Sequence, residues 1–183
     1  MFIIVVCALL LPTIYGSINS QQNIALEPLN SLLLQRSGSV NLGLRGKIIW
    51  NPVEIREEEG APVRTFIEFK KENMLGSLEW IQQVNDDEDS WATEVIPTED
   101  SGFIAVGCTG SRYGSSYLII KLVEDGSVEW KQTAGFGTYA VAGRVSEMAG
   151  TGYLVTGYVE KYDGDLYQYT VKLTPSGNIL SES

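Results

Sequence analysis

The sequence predicts an all-β protein assembled from repeated four-stranded units of about fifty residues. Three observations predict it. The first is self-similarity: Gly76, Ser77, Glu79, Trp80, Gln82, Ala92, Val95, Gly102 and Gly107 recur fifty residues later as Gly126, Ser127, Glu129, Trp130, Gln132, Ala142, Val145, Gly152 and Gly157, with no gap. The second is vocabulary. The runs GFIAVGC and GYLVTGY are β-branched and aromatic and open on glycine, a composition suited to a pleated, covered surface. The third is that residues 65–183 carry no 3.6-residue apolar period, the mark of an amphipathic helix.

The chain opens on a segment of another kind. MFIIVVCALLLPTIYG is apolar from Phe2 to Leu11, is broken by Pro12 and meets small residues at Gly16 and Ser17. An apolar run of roughly 7–15 residues ending near small residues predicts a secretory signal peptide, here residues 1–16. The run is shorter than the roughly 20 residues of a transmembrane helix. An uncleaved anchor is the alternative, because the only positive charge ahead of the run is the chain's own amino group.

Residues 17–62 form an N-terminal segment that departs from the period and reads as a degenerate unit. SINSQQN is a polar leader, and Val40, Leu42 and Leu44 alternate with other residues. GKIIW, Gly46 to Trp50, reads as a degenerate copy of the Gly-x-x-x-Trp element found at Gly76–Trp80 and Gly126–Trp130. REEEGAP, Arg56 to Pro62, is a charged loop.

The repeats then occupy residues 63–183. VRTFIEFKKENMLGSLEW supplies the last two strands of one unit. WATEVIP, GFIAVGC, YLIIKLV and SVEWKQT supply four strands of the next, and VAGRVSE, GYLVTGY, YQYTVKL and NILSES those of a third that stops mid-copy. Glu124–Asp125–Gly126 and Pro175–Ser176–Gly177 are hairpin turns by composition, since glycine accepts positive φ at little cost. Apolar runs without strict alternation predict strands covered on both faces.

Four short strands in about 40–50 residues make the blade of a β-propeller, so the expected fold is a partial or incomplete β-propeller. GFIAVGCTG, followed by YLIIKLVEDGSVEWKQTAGFG, resembles the glycine-rich propeller repeats of secreted and cell-surface proteins over residues 91–179, with a weaker extension back to Phe66. The Gly76–Trp80 and Gly126–Trp130 elements also resemble the tryptophan-docking repeats of quinoprotein propellers. That resemblance implies a tryptophan ring wedged between neighbouring blades. The structural repeat positions are therefore Gly76, Trp80, Gly102, Gly107, Gly126, Trp130, Gly152, Gly157 and Gly177. Repetition of the tryptophan favours packing over a sugar-stacking platform, because a single ligand needs only one platform.

A closed propeller uses at least four blades, roughly 200 residues at this repeat length. The chain has 183. Three outcomes stay open: a fragment of a longer propeller, closure of N-terminal strands onto the C-terminal half-blade, or open strand edges that pair with another chain.

A net charge of −10 and a pI near 4.5 exclude a nucleic-acid partner, which would need a basic face. Signal cleavage would remove Cys7 and leave Cys108, so no intrachain disulfide is expected; Cys108 reads as a buried inert thiol or an intermolecular bridge. The sequence contains no histidine, which excludes serine–histidine and cysteine–histidine catalysis and a Cys/His zinc site. The acidic run Asn85–Asp89 offers oxygen ligands for calcium, but the corresponding loop GFGTYA carries no acids, and a solvated loop is the simpler reading. Asp163 and Asp165 read as turn residues. Tyr113, Phe136, Tyr139, Tyr158 and Tyr162 fall in loops or at strand ends, where they are candidates for sugar or protein recognition as well as ordinary rim residues.

No catalytic, cofactor-binding or metal-ligating residue is nominated, and no cofactor is expected. The expected function is that of a secreted, non-enzymatic binding or scaffolding surface. Its partners would be a protein or a carbohydrate, with no nucleic acid, no membrane after cleavage, and a homo-oligomer as a candidate assembly. The alternatives are a fragment of a propeller enzyme of quinoprotein or glycosidase type, and a structural protein that self-assembles through open β edges.

Overall fold

A computed structural model describes residues 36–55, 63–84, 88–111 and 114–183. The expected signal peptide, the polar leader, the loop 56–62, Asn85, Asp86, Asp87 and Tyr113 lie outside the described residues. Three four-stranded antiparallel sheets follow one another along the chain. The first contains β1 (Gly38–Asn41), β2 (Lys47–Ile55), β3 (Arg64–Glu72) and β4 (Leu78–Val84). The second contains β5 (Asp89–Pro97), β6 (Phe103–Ser111), β7 (Gly114–Leu122) and β8 (Val128–Gly137). The third contains β9 (Tyr139–Met148), β10 (Gly152–Glu160), β11 (Leu166–Leu173) and β12 (Ile179–Glu182). Strands adjacent in sequence are adjacent in every sheet. The all-β class and the four-stranded repeat expected from the sequence are thus both present. Among the described residues, no helix is long and apolar enough to cross a membrane.

Strands β1 and β2 come from the segment 17–62 and complete the first sheet, so the 62/63 division falls between two strands of one sheet. GKIIW needs correction. Gly46 closes the β1–β2 turn, and a Cβ there would lie 1.9 Å from the Glu72 carbonyl oxygen. Gly102 and Gly152 occupy the matching place, 2.3 and 1.9 Å from the carbonyls of Leu122 and Leu173. Gly46–Trp50 therefore corresponds to the start of β6 and β10. It is not a copy of the fourth-strand element at Gly76–Trp80, because Trp50 sits on the second strand, opposite Phe69.

The apolar faces meet between sheets. One core joins Ile48, Trp50, Ile67 and Phe69 of the first sheet to Phe103, Ala105, Leu118, Ile120 and Leu122 of the second. The other joins Ile104, Val106, Tyr117 and Ile119 on the opposite face of the second sheet to Ala140, Ala142, Val155, Val159 and Val171 of the third. The second sheet is therefore covered on both sides, which explains why β6 is buried from Phe103 to Gly110 without alternation. Strand β10 alternates, because only the Tyr153, Val155, Gly157 and Val159 side faces the second sheet. Burial of this kind contributes about 25 cal/mol per Å² of apolar surface.

First strands bulge where they cross the second. Pairing shifts between Ala92 and Glu94 in β5 and between Thr156 and Gly157 in β10 opposite β9. A β-bulge bends and twists the strand it interrupts. The backbones approach so closely here that a Cβ on Gly107 would lie 1.9 Å from the Trp91 carbonyl oxygen, and one on Gly157 2.1 Å from that of Val141. Gly76 is different: its φ is +81° but open space surrounds it. Gly107→Ala should therefore cost about 3 kcal/mol or more, through overpacking against backbone. Gly76→Ala should cost only about 1–2 kcal/mol, the penalty of a left-handed alanine. Urea unfolding of the two variants checks the order; equal losses would contradict it.

Candidate functional site

The two repeated tryptophans make the same contact. Trp80 leaves β4 and lies over the β7–β8 turn, where a Cβ on Gly126 would come within 2.6 Å of the indole. Its Nε1–H donates to the Glu124 carbonyl oxygen at 3.1 Å. Trp130 leaves β8 and lies over the β11–β12 turn, 2.6 Å from a Cβ on Gly177, and donates to the Pro175 carbonyl oxygen at 3.0 Å. Each ring also packs on the aromatic that opens the next sheet's second strand. Trp80 meets Phe103 at 6.0 Å between centroids, and Trp130 meets Tyr153 at 5.9 Å. Both indoles are half-buried. Among the sequence-nominated positions, the structure thus brings together Trp80 with Gly126 and Trp130 with Gly177. Gly102, Gly107, Gly152 and Gly157 are close-approach points within sheets, and Gly76 only shapes a turn.

Beside the second dock lies a cleft of about 370 Å³ lined by Glu99, Asp100, Glu129, Glu147, Tyr153 and Pro175, among others. Four connected features build it. The β5–β6 turn carries Glu99 and Asp100, β8 carries Glu129, the end of β9 carries Glu147, and the β11–β12 turn carries Pro175. The Glu99 amide donates to Glu147 Oε2 at 2.9 Å, which ties the second sheet's turn to the third sheet.

Lys121 pairs with two of the lining carboxylates. It is almost fully buried, with Nζ 2.7 Å from Asp100 Oδ2, 3.7 Å from Glu129 Oε2 and 3.2 Å from the Leu122 carbonyl oxygen. Gly102 makes room for this ammonium, since a Cβ there would lie 2.5 Å from Nζ. A buried ammonium needs such partners, because removal from water is costly for an unpaired charge. Burial pushes the Asp100 carboxyl up, and hydrogen bonds from Lys121, Thr98 and the Gly102 amide outweigh that effect, holding it at about 2.

Tyr153 is buried to within 3% of its surface and lines the cleft. Burial raises its hydroxyl well above the usual tyrosine range, with Asp100, Glu147 and Glu129 adding in the same direction. The cleft is therefore an anionic pocket, two of whose carboxylates, Asp100 and Glu129, are held by one buried lysine. Among the described residues, no group of three or more carboxylates or cysteines is arranged to hold a metal ion.

The other sequence candidates are dispersed. Phe136 and Tyr162 are exposed and meet as tilted rings with centroids 6.4 Å apart, at the sheet end opposite the cleft's turns. Tyr139 and Tyr158 are half-buried on β9 and β10. Asp89 accepts a hydrogen bond from the Thr65 amide at 2.7 Å, and Asp163 accepts one from the Asp165 amide at 3.1 Å, so both serve local structure. Cys108 is fully buried on β6. No protein-family model matches the chain, and no curated protein matches it in sequence.

Trp130→Ala should destabilise by about 2–3 kcal/mol, below the 3–5 of a fully buried tryptophan because the ring is half-buried; urea unfolding measures it. The Asp100 pair predicts an acid limb. Its folded value of about 2 lies below the ordinary 3.8, so its stabilisation is complete above 3.8 and disappears as pH falls through about 2. Asp100→Asn should lower stability near neutrality and flatten the decline over that window, measured by urea midpoints across pH. An unchanged acid limb would contradict it.

Proposed function

We propose that the three sheets are consecutive blades of a β-propeller and that the chain is a secreted, non-enzymatic repeat protein whose junctions serve as a binding or scaffolding surface. The observation that carries this reading is the duplicated tryptophan dock, Trp80 on Gly126 and Trp130 on Gly177. It couples successive sheets by one rigid geometry, as a radial or stacked array requires. The same reading fits the cleft. Its carboxylates are engaged by a lysine ammonium and a backbone amide rather than set in an open pair around a reacting bond, and the tyrosine beside them is far from its ionised form at neutral pH.

Secretion follows from the leading apolar run and is tested by N-terminal sequencing of the exported chain, which should begin at Ser17. For the activity, the full chain would be incubated with aryl glycosides, and separately with a quinone cofactor, calcium and alcohols. Neither should turn over, while immobilised protein should bind peptides or oligosaccharides saturably and release them unchanged. Steady turnover in either assay would replace the binding reading with an enzymatic one.

A further inference from the structure

The two sheet junctions are built alike, and they differ in the charge they carry. The β1–β2 and β5–β6 turns share a hydrogen-bond pattern: Leu42 N–H to the Gly46 carbonyl at 2.8 Å, and Thr98 N–H to the Gly102 carbonyl at 3.0 Å. By that match Gly43 and Leu44 stand where Glu99 and Asp100 stand. The fifty-residue register puts Pro97 in place of Glu147 and Phe103 in place of Tyr153. Only the lysine–glutamate pair survives in both junctions, as Lys71 with Glu79 at 2.6 Å and Lys121 with Glu129 at 3.7 Å. At one junction those four positions therefore carry no charge, and at the next the same positions carry three further carboxylates and a phenol. Local departures from an otherwise consistent pattern concentrate at functional sites.

The phenol is the second, independent observation. Tyr153 is 97% buried, lines the cleft, and its hydroxyl forms no hydrogen bond with any described residue, although Asp100, Glu129 and Glu147 all act on it. Phe103 shows that the packing role at this position needs no hydroxyl. That hydroxyl is not among the fully buried polar atoms left without a partner, so it opens onto the cleft, where an entering group can reach it and the carboxylates set that group's charge.

We propose that the cleft between the second and third sheets binds a cationic N–H donor, the guanidinium or ammonium of a basic side chain on a partner polypeptide, gripped by Glu99, Glu129 and Glu147 with the Tyr153 hydroxyl oxygen as an additional acceptor. A planar guanidinium suits several carboxylate acceptors at once, because its donors are fixed in a fork. Asp100 and Glu129 pair the buried Lys121 ammonium, and with Glu99 and Glu147 beside them the cleft keeps surplus negative charge without leaving that ammonium unpaired. This assignment rests on the binding reading above and specifies its partner chemistry.

Calorimetric titration of the full chain with acetyl-Gly-Arg-Arg-Gly-amide tests it, beside the citrulline counterpart, spermidine, and neutral and acidic peptides of equal length. The arginine peptide should bind, and more weakly as salt rises. The citrulline peptide should bind at least about tenfold more weakly, the loss of one charge-assisted contact. Tyr153→Phe and Glu147→Gln should each weaken the arginine peptide about tenfold by the same reasoning. Tyr153→Phe should leave the melting temperature unchanged, since its hydroxyl holds nothing in the fold. Glu54→Gln, on an exposed position of β2, should bind as the parent does.

Arginine binding that survives both cleft variants would overturn the assignment, as would equal binding of the citrulline peptide. Spermidine binding with silent peptides would keep the cation site and overturn its polypeptide source. Heat from neutral or acidic peptides alone would overturn the cation site while leaving the binding function in place. Silence from the whole panel, with turnover in the glycoside assay, would overturn both.

Discussion

Everything else in this array depends on the seating of a tryptophan ring on the next sheet's turn glycine. A four-stranded sheet with two apolar faces cannot satisfy both in isolation, so its stability comes from its neighbours. The indole supplies area and a directed N–H, and it uses both. Gly126 and Gly177 have φ of +87° and +82°, and a Cβ on either would strike the ring. One residue thus answers two demands, the turn's backbone and the ring's seat. The turn cannot change without moving the neighbouring sheet.

Apolar contact is not directional, and polar bridges supply the register that it leaves open. Between the second and third sheets the bulged Thr93 donates its hydroxyl hydrogen toward the carbonyls of Val106 at 3.0 Å and Ala142 at 2.6 Å. Ser115 Oγ accepts from the Ala140 amide at 2.6 Å, and Tyr117 donates to the Tyr169 carbonyl at 3.2 Å. Glu94 holds the Val145 amide at 2.7 Å and Arg144 at 2.8 Å. Apart from Thr93 to Val106, which lies within the second sheet, each bond crosses from one sheet to the other, so a shift of one residue would strand several polar groups at once, and an unmade buried bond costs about 1–3 kcal/mol. The bulge that forces Gly107 to be glycine also aims Thr93 across the interface. Local strand irregularity and sheet-to-sheet alignment are one device.

Much of this was legible along the chain, because a repeat writes the same physics twice. The strands of the second and third sheets follow the runs that glycine and β-branched residues mark out, and the paired tryptophans signal a shared seat. The first sheet was harder to read. Gly46 aligns with Gly102, fifty-six positions on rather than fifty, so the register breaks within the sheet and GKIIW imitates the Gly-x-x-x-Trp spacing by coincidence. Only its pairing with Glu72 and Phe69 reveals its place. The cleft was not legible at all. Its carboxylates come from three separate elements, the β5–β6 turn, β8 and β9, whereas the eye is drawn to the contiguous acids of the run Asn85–Asp89. A signal was nonetheless present: sliding the repeat against itself sets Glu147 on Pro97 and Tyr153 on Phe103, and such mismatches within a matched frame carry more information than the identities do.

The same frame explains the chemistry of the third sheet's outer face. Equivalent register places Leu154 with Lys172, Thr156 with Thr170 and Tyr158 with Gln168, where the second sheet has Ile104 with Lys121, Val106 with Ile119 and Cys108 with Tyr117. Ser181 stands opposite Lys172 as Trp130 stands opposite Lys121. The lysine that is buried in the second sheet is exposed in the third. Its ammonium needs no fixed counterion there, because water solvates it, and among the described residues no carboxylate is placed to hold it as Asp100 holds Lys121. Burial by a neighbour, not the strand itself, therefore decides which copies of the repeat must carry the acids. The Asp100–Lys121 pair belongs to the junction, and so does the cleft built upon it.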